Sequence, residues 1–130
     1  MVEMFGEFLQ ALIGKIREGK LTEASQALAN AYDEYLHKTA GEILQIPAEK
    51  LIVTLKDEHE FNEQQIEIVA GLLQAEAELR FKQEHFKDSK DNFQKALLLL
   101  NYLDLEEKTF SFDRQNRIKE IEEKIAAIKT

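Results

Sequence analysis

The sequence contains no cysteine among its 130 residues. Disulfide bonds, thiolate nucleophiles and every cysteine-based zinc or iron–sulfur site are therefore excluded. The absence of cysteine also agrees with a reducing compartment, and we expect a cytoplasmic protein.

Proline and glycine are scarce as well, with one proline and five glycines. These residues interrupt regular structure, so their scarcity, together with many Glu, Lys, Leu and Ala residues, indicates helices joined by short connections. The length is that of one domain. We predict a single all-α domain over residues 1–130, built from about five or six helices in antiparallel pairs.

Positive charge is in deficit, because 17 Lys and Arg residues face 25 Asp and Glu residues and give a formal net charge of −8. Phosphate backbones and anionic membrane surfaces both attract basic stripes, and no stretch of this chain supplies one. We therefore expect neither nucleic acid nor a membrane as a partner.

Long apolar runs are also missing. No stretch approaches the ~20 apolar residues that a membrane-spanning helix requires. Glu3 and Glu7 stand where a signal peptide has positive charge and then an unbroken apolar run. We expect no targeting segment.

Apolar residues recur at helical spacing in several stretches of the chain. They predict helices over 2–17, 22–38, 62–83 and 86–103, a short helix starting at Pro47, and a last helix capped by Ser111 or Thr109. The predicted boundaries are Gly19 after the first helix, Thr22 as a cap, Gly41 as a stop, a polar loop over 56–60, and a capping box of Asn62 with Gln65.

The last predicted helix carries a narrow isoleucine stripe. Ile118, Ile121, Ile125 and Ile128 follow spacings of three, four and three residues. The stripe is too short for a free-standing coiled coil. It suits a groove, and that groove belongs either to this chain or to a partner.

Two stretches resemble tetratricopeptide repeats, which are helix–turn–helix units of ~34 residues with small and aromatic residues at fixed places. In GKLTEASQALANAY the turn is at Gly19, the small contact residue is Ala24, and inward positions follow at Leu28 and Ala31. In EHFKDSKDNFQKAL the corresponding positions hold Glu84, Ser89, Phe93 and Ala96.

The resemblance departs from the repeat pattern at several places. Glu84 replaces the turn glycine, Ser89 replaces the usual alanine, and residues 41–60 do not match. The proline expected after the second helix is missing, and the spacing of 65 residues from Ala24 to Ser89 is close to two repeats but not equal to them. The chain is also similar to small bacterial proteins that place an amphipathic N-terminal helix before repeat-like helix pairs. These resemblances imply a right-handed stack of helix pairs whose concave groove binds a protein segment.

The sequence contains no recognisable catalytic pattern. Glu34 and His37 have the helical spacing of a metal-binding pair, but di-iron bundles need two such pairs. His59 and His85 have lysine three residues before them, so no second pair exists. No G-x-S-x-G or phosphate-binding glycine loop is present. We expect no enzyme activity, and no catalytic, cofactor-binding or metal-binding residues.

The first helix is predicted to be apolar on two faces. The repeat pattern places Phe8 and Leu12 against the paired helix. It places Leu9, Ile13 and Ile16 on the concave face. Such a surface is rarely left to water; the isoleucine stripe, a second subunit or a partner helix are the three candidates to cover it. The predicted partner-binding residues are Leu9, Ile13, Ile16, Gln74, Glu78, Phe81 and Lys82.

These observations predict a non-enzymatic protein–protein interaction module, an adaptor or chaperone that holds a protein segment in a helical groove. The alternative is a structural homo-oligomer whose apolar helices are buried between identical subunits. The partner is accordingly a protein segment or a second copy of the chain.

Overall fold

A computed structural model describes residues 2–107 and 110–129, and within these ranges the chain is helical with no β-strand. The predicted all-α class is confirmed. There are seven helices in the described ranges, because two short ones lie in the connection between the second and third long helices. They are α1 (Val2–Arg17), α2 (Leu21–Leu36), α3 (Ala40–Leu44), α4 (Leu51–Val53), α5 (Glu63–Lys82), α6 (Phe86–Glu106) and α7 (Phe112–Ala127).

The start of α2 differs from the predicted one. Thr22 is not its cap, because the helix begins one residue earlier and Lys20 takes the N-cap position without a side-chain hydrogen bond. The turn from α1 is instead closed by backbone hydrogen bonds from Gly19 N to Ile16 O and from Lys20 N to Lys15 O. Gly19 has a φ of 86°, so its predicted left-handed conformation is confirmed.

The end of α2 also differs. The helix stops at Leu36 because His37 adopts a left-handed conformation with a φ of 55°. Gly41 lies inside α3 and does not end α2. The helix α3 starts at Ala40 because Thr39 and Glu42 form a reciprocal capping box. This box satisfies backbone amide donors at the start of α3.

Residues 56–60 were expected to form a polar loop, and this prediction is wrong for residues 56–58 and confirmed for residues 59 and 60. The chain passes from a 3-10 turn (Ala48–Lys50) through α4 into a π-helical turn (Thr54–Glu58). Leu55 and Phe61 are both buried, and the Phe61 N–H donates to the Leu55 carbonyl at 2.9 Å. The apolar anchors at both ends keep this segment wound against the core.

Two predicted caps are confirmed. Asn62 and Gln65 form the reciprocal capping box of α5, with both hydrogen bonds at 2.9 Å. Ser111 caps α7 by accepting from the Arg114 N–H at 3.2 Å. The alternative cap, Thr109, lies outside the described residues.

The helix α5 is the centre of the molecule. It contacts α1, α2 and α6, and it is buried without interruption from Ile68 to Leu79. Phe93 of α6 and Ala24 of α2 have no exposed surface, so their prediction as core residues is confirmed.

Three helices run in the same direction along one side of the molecule. The contacts of α1 with α5 progress from Phe5 against Gly71 to Arg17 against Glu78. The ion pairs of α7 with α5 likewise progress from Arg114–Glu67 to Lys124–Glu78. On this side, α5 therefore lies between α1 and α7.

The isoleucine stripe of α7 folds back on its own chain. Ile121 is fully buried, Ile118 and Ile128 are 8% and 5% exposed, and Ile125 packs against the core in part. The helix α7 lies against α6. The stripe is therefore covered within the chain, and a groove remains open between α7 and α1.

Candidate functional site: a groove between α1 and α7

A groove with a volume of about 620 Å³ lies between α1 and α7, with α5 as its floor. Its two walls differ in character. The α1 wall combines apolar side chains with glycines, and the α7 wall is polar. The lining residues are Phe5, Gly6, Leu9, Gln10, Ile13, Gly14 and Arg17 from α1, Glu67 and Gln74 from α5, and Asp113, Asn116, Arg117 and Glu120 from α7.

Gly6 and Gly14 lie on the groove face of α1 with open space in front of them. A Cβ atom built at either position meets no other atom within 4 Å, outside the neighbouring helix backbone. Glycine inside a helix destabilises it by roughly 0.5–1 kcal/mol relative to alanine. Neither turn geometry nor packing within the chain requires glycine at these positions, and both leave the α1 backbone accessible from the groove.

Gly71 of α5 is different, because it is required by packing. A Cβ atom there would lie 2.7 Å and 2.9 Å from ring atoms of Phe5 and 3.0 Å from a methyl carbon of Leu9. The close approach of α1 to α5 at Gly71 holds Phe5 and Leu9 in place. It therefore sets the position of the apolar wall.

One end of the groove is bridged by charge. Arg17 of α1 donates to Glu120 of α7, and also to Glu78 of α5 at 3.2 Å. Partial burial opposes the charged form of Arg17, but the hydrogen bonds and negative charges of Glu120 and Glu78 outweigh it and raise the pKa of the guanidinium. The bridge ties both walls to the floor at this end.

The α7 wall is fixed to the floor by buried arginines. Arg114, 5% exposed, forms ion pairs with Glu67 of α5 and Glu107 of α6 at 3.2 Å and 3.1 Å. Arg117 donates to Glu67 at 3.0 Å and to the Gln74 carboxamide at 3.1 Å. Removing one partner of a buried ion pair is strongly destabilising, so these contacts hold α7 in one position.

A second polar cluster lies away from the groove. Tyr32 of α2 donates to Glu76 of α5 at 3.1 Å, and Arg80 pairs with the same carboxylate at 3.1 Å. Burial raises the pKa of Glu76, although Arg80 and the Tyr32 hydroxyl oppose this shift. Burial likewise raises the pKa of Tyr32. Neither Tyr32 nor Glu76 lines the groove, and their geometry joins α2 to α5.

Three of the seven predicted partner-binding residues line the groove: Leu9, Ile13 and Gln74. They belong largely to the interior, with 7%, 9% and 3% of their surface exposed. Ile16 is fully buried, so a partner reaches it only if α1 moves. Glu78 is 3% exposed and holds Arg17 and Lys124.

The remaining two predicted residues lie near the end of α5. Phe81 is half-buried, with the Lys124 ammonium 5.0 Å from its ring centre and the Phe86 ring 5.4 Å away. Lys82 is exposed and is not among the groove-lining residues.

Sequence reasoning missed the α7 wall and the glycines. Gly6, Gln10 and Gly14 are spaced four residues apart, which places them on one helix face. The α7 residues that line the groove repeat at positions 113, 116, 117 and 120, a helical face of the same kind. The spacing was readable, but the meeting of these two faces depends on the long-range fold.

Exposed apolar side chains stand where α6 ends and α7 begins. Leu105, Phe110 and Phe112 are 84%, 69% and 77% exposed. The two phenylalanine rings meet edge to face with centres 4.8 Å apart. Exposed apolar surface of this kind marks interaction sites when it is contiguous.

Residues 2–107 and 110–129 contain no group of three or more His, Asp or Glu side chains placed to hold a metal ion. Over the same residues, no helix combines the length and apolarity needed to cross a membrane. His37, of the Glu34–His37 pair, is exposed and ends α2.

Comparison with known proteins gives no family to which the chain is assigned. No family model, curated protein or solved structure matches it.

Proposed function

We propose that this protein is a non-enzymatic interaction module that holds a segment of another protein in the groove between α1 and α7. The observation that carries the proposal is the open groove itself, in which Gly6 and Gly14 leave space that no atom of the chain fills. Concave sites between helices are common places for ligands. A segment seated there contacts the apolar α1 wall on one side and the polar α7 wall on the other.

The resemblance of two helix pairs to tetratricopeptide repeats supports this proposal. The turn residues Gly19 and Glu84 stand 65 residues apart, both with positive φ and with the same pair of backbone hydrogen bonds. The small residues Ala24 and Ser89 follow at the same spacing and are both fully buried. We take α1–α2 and α5–α6 as two repeat-like pairs in a right-handed stack, with α1, α5 and α7 forming its concave side.

Selection from random peptides displayed on phage tests the proposal. The immobilised protein is expected to enrich peptide families whose binding shifts the backbone amide resonances of Gly6, Gly14 and Asn116 in isotope-labelled protein. Failure to enrich any family, or resonance shifts confined to surfaces outside the groove, would contradict the proposal.

The alternative function is a structural homo-oligomer, and the exposed side chains of Leu105, Phe110 and Phe112 favour it. Burying these side chains between two copies would remove apolar surface from water. Size-exclusion chromatography with light scattering separates the two functions. A concentration-independent monomer supports the interaction module, and a dimer lost in Phe110→Ser/Phe112→Ser supports the oligomer.

A further inference from the structure

The length of the groove sets the length of an extended occupant. From Phe5 to Arg17, α1 rises about 18 Å at ~1.5 Å per residue, and an extended chain covers that distance in roughly five or six residues.

Each of the three helices around the groove offers a group suited to an extended backbone. Gln10 of α1, Gln74 of α5 and Asn116 of α7 line the groove, and a carboxamide both donates and accepts hydrogen bonds. The Gln74 oxygen already accepts from Arg117. Peptide groups of an extended segment need both kinds of partner, because they make no hydrogen bonds among themselves. The accessible α1 backbone at Gly6 and Gly14 allows such a segment to approach closely.

The charges around the groove select the sign of the occupant. The charged residues that line the groove hold one more carboxylate than cations. The cations are Arg17 and Arg117; the carboxylates are Glu67, Asp113 and Glu120.

The charged groups that line the groove are engaged to different degrees. Arg17, 49% exposed, pairs with Glu78 and with Glu120. Arg117, 14% exposed, pairs with Glu67, but its Nη2 atom is buried and has no hydrogen-bond partner among the described residues, a donor that a peptide carbonyl of an occupant can satisfy. Asp113 is 76% exposed. The contact of Asp113 with Arg117 is at 4.0 Å, so its carboxylate is the group most accessible to an incoming charge.

From these observations we infer that the groove takes an extended, basic protein segment that carries an apolar side chain. The apolar side chain lies on Leu9 and Ile13, and a lysine or arginine meets Asp113 at the open side of the α7 wall. The formal net charge of −8 attracts such a segment over longer range. This inference rests on the proposed function, since it names the class of partner for the same groove.

The test uses the peptide families selected on the wild-type protein. Lysine and arginine are expected to be enriched over the starting library. Replacing the basic residue of a selected peptide by glutamine is expected to weaken binding roughly two- to fivefold, and added salt to weaken binding of the parent peptide. Fluorescence anisotropy with the labelled peptides measures both effects.

A matched pair of variants tests whether Asp113 is the carboxylate that meets the basic residue of the peptide. Asp113→Asn is expected to weaken the basic peptide roughly two- to fivefold and to leave its glutamine version unchanged. Asp88→Asn is the control, because Asp88 is also an exposed acid in the first turn of a long helix and lies outside the groove lining. It is expected to leave both affinities unchanged.

Failure of this inference and failure of the proposed function give different results. Selected peptides that map to the groove without basic enrichment, or that bind Asp113→Asn as they bind the wild type, overturn the inference and leave the groove as a binding site. Absence of any peptide that maps to the groove overturns both. Self-association through the groove, seen as a dimer lost in Gly14→Leu, also overturns the inference in favour of a second copy.

Discussion

Gly19 and Glu84 show how one backbone conformation is met by two different residues. Both lie in the left-handed region, with φ of 86° and 64°, after the ends of α1 and α5. Their amides donate to Ile16 and Phe81 at 3.0 Å in each case. Glycine adopts this conformation freely, whereas a residue with a Cβ is strained by about 1–2 kcal/mol.

Glu84→Gly is therefore expected to stabilise the protein by up to about 1 kcal/mol, after allowance for the greater freedom of glycine in the unfolded chain. Gly19→Ala is its counterpart and is expected to destabilise by about 1 kcal/mol, although no atom lies within 4 Å of the added Cβ. Urea denaturation measures both. A lower unfolding free energy for Glu84→Gly would show that the turn is not strained.

Glu76 makes a second prediction at the residue scale. Burial raises its pKa above the ordinary value of 4.5. Between the unfolded and folded pKa values the folded protein binds more protons than the unfolded chain, so this group lowers the unfolding free energy as the pH rises through that window.

Glu76→Gln is expected to remove this contribution, while the amide oxygen still accepts from Tyr32. Unfolding free energies are measured by urea denaturation at pH values from 4.5 upward. The difference between variant and wild type should shift in favour of the variant as the pH rises. Glu122→Gln, at an exposed mid-helix position, serves as the control. Parallel pH profiles of the unfolding free energy for wild type and Glu76→Gln would contradict a raised pKa of Glu76 in the folded protein.

At the scale of helices, the contact of α1 with α5 depends on Gly71. Gly71→Ala is expected to destabilise the protein by about 1–3 kcal/mol, because the added methyl group overlaps the Phe5 ring. Gly6→Ala adds the same methyl group to α1 facing open space and is expected to stabilise by up to about 1 kcal/mol. Thermal unfolding followed by circular dichroism compares the two variants. Equal shifts in melting temperature would contradict the close contact of α1 with α5 at Gly71.

Helix periodicity and local caps were sufficient to predict most of the elements. The bounds of α1 and the Asn62 capping box follow from spacing and side-chain chemistry within a few residues of each other. The end of α2 was misplaced because Gly41 is a strong stop signal, whereas His37 and Thr39 act together to end one helix and start the next.

The groove was less accessible to sequence reasoning. Leu9, Ile13 and Gln74 were identified because they follow the repeat pattern on α1 and α5. Asn116 and Glu120 were not, because the position of α7 depends on the buried pairs of Arg114 and Arg117 with residues about 47 and 50 positions away. No local pattern specifies contacts at that separation.

At the scale of the whole molecule, the fold-back of α7 has two consequences. It covers the isoleucine stripe against the rest of the chain, and it creates the polar wall opposite the apolar face of α1. The Arg17–Glu120 bridge joins the two walls at one end. The shape of the site is therefore a property of α1, α5 and α7 together.

The central claim is that the groove between α1 and α7 binds a protein segment, and the variant Gly14→Leu tests it most directly. Leucine favours the helix over glycine by up to about 1 kcal/mol, and its side chain projects into the groove, where no atom lies within 4 Å of the added Cβ. Ala11→Leu is the control, because Ala11 is an exposed residue of α1 that does not line the groove. Melting temperature and affinity for the selected peptides are measured on the same samples. Gly14→Leu is expected to melt at or above the wild-type temperature and to lose peptide binding, while Ala11→Leu keeps it. Wild-type affinity in Gly14→Leu would contradict the claim.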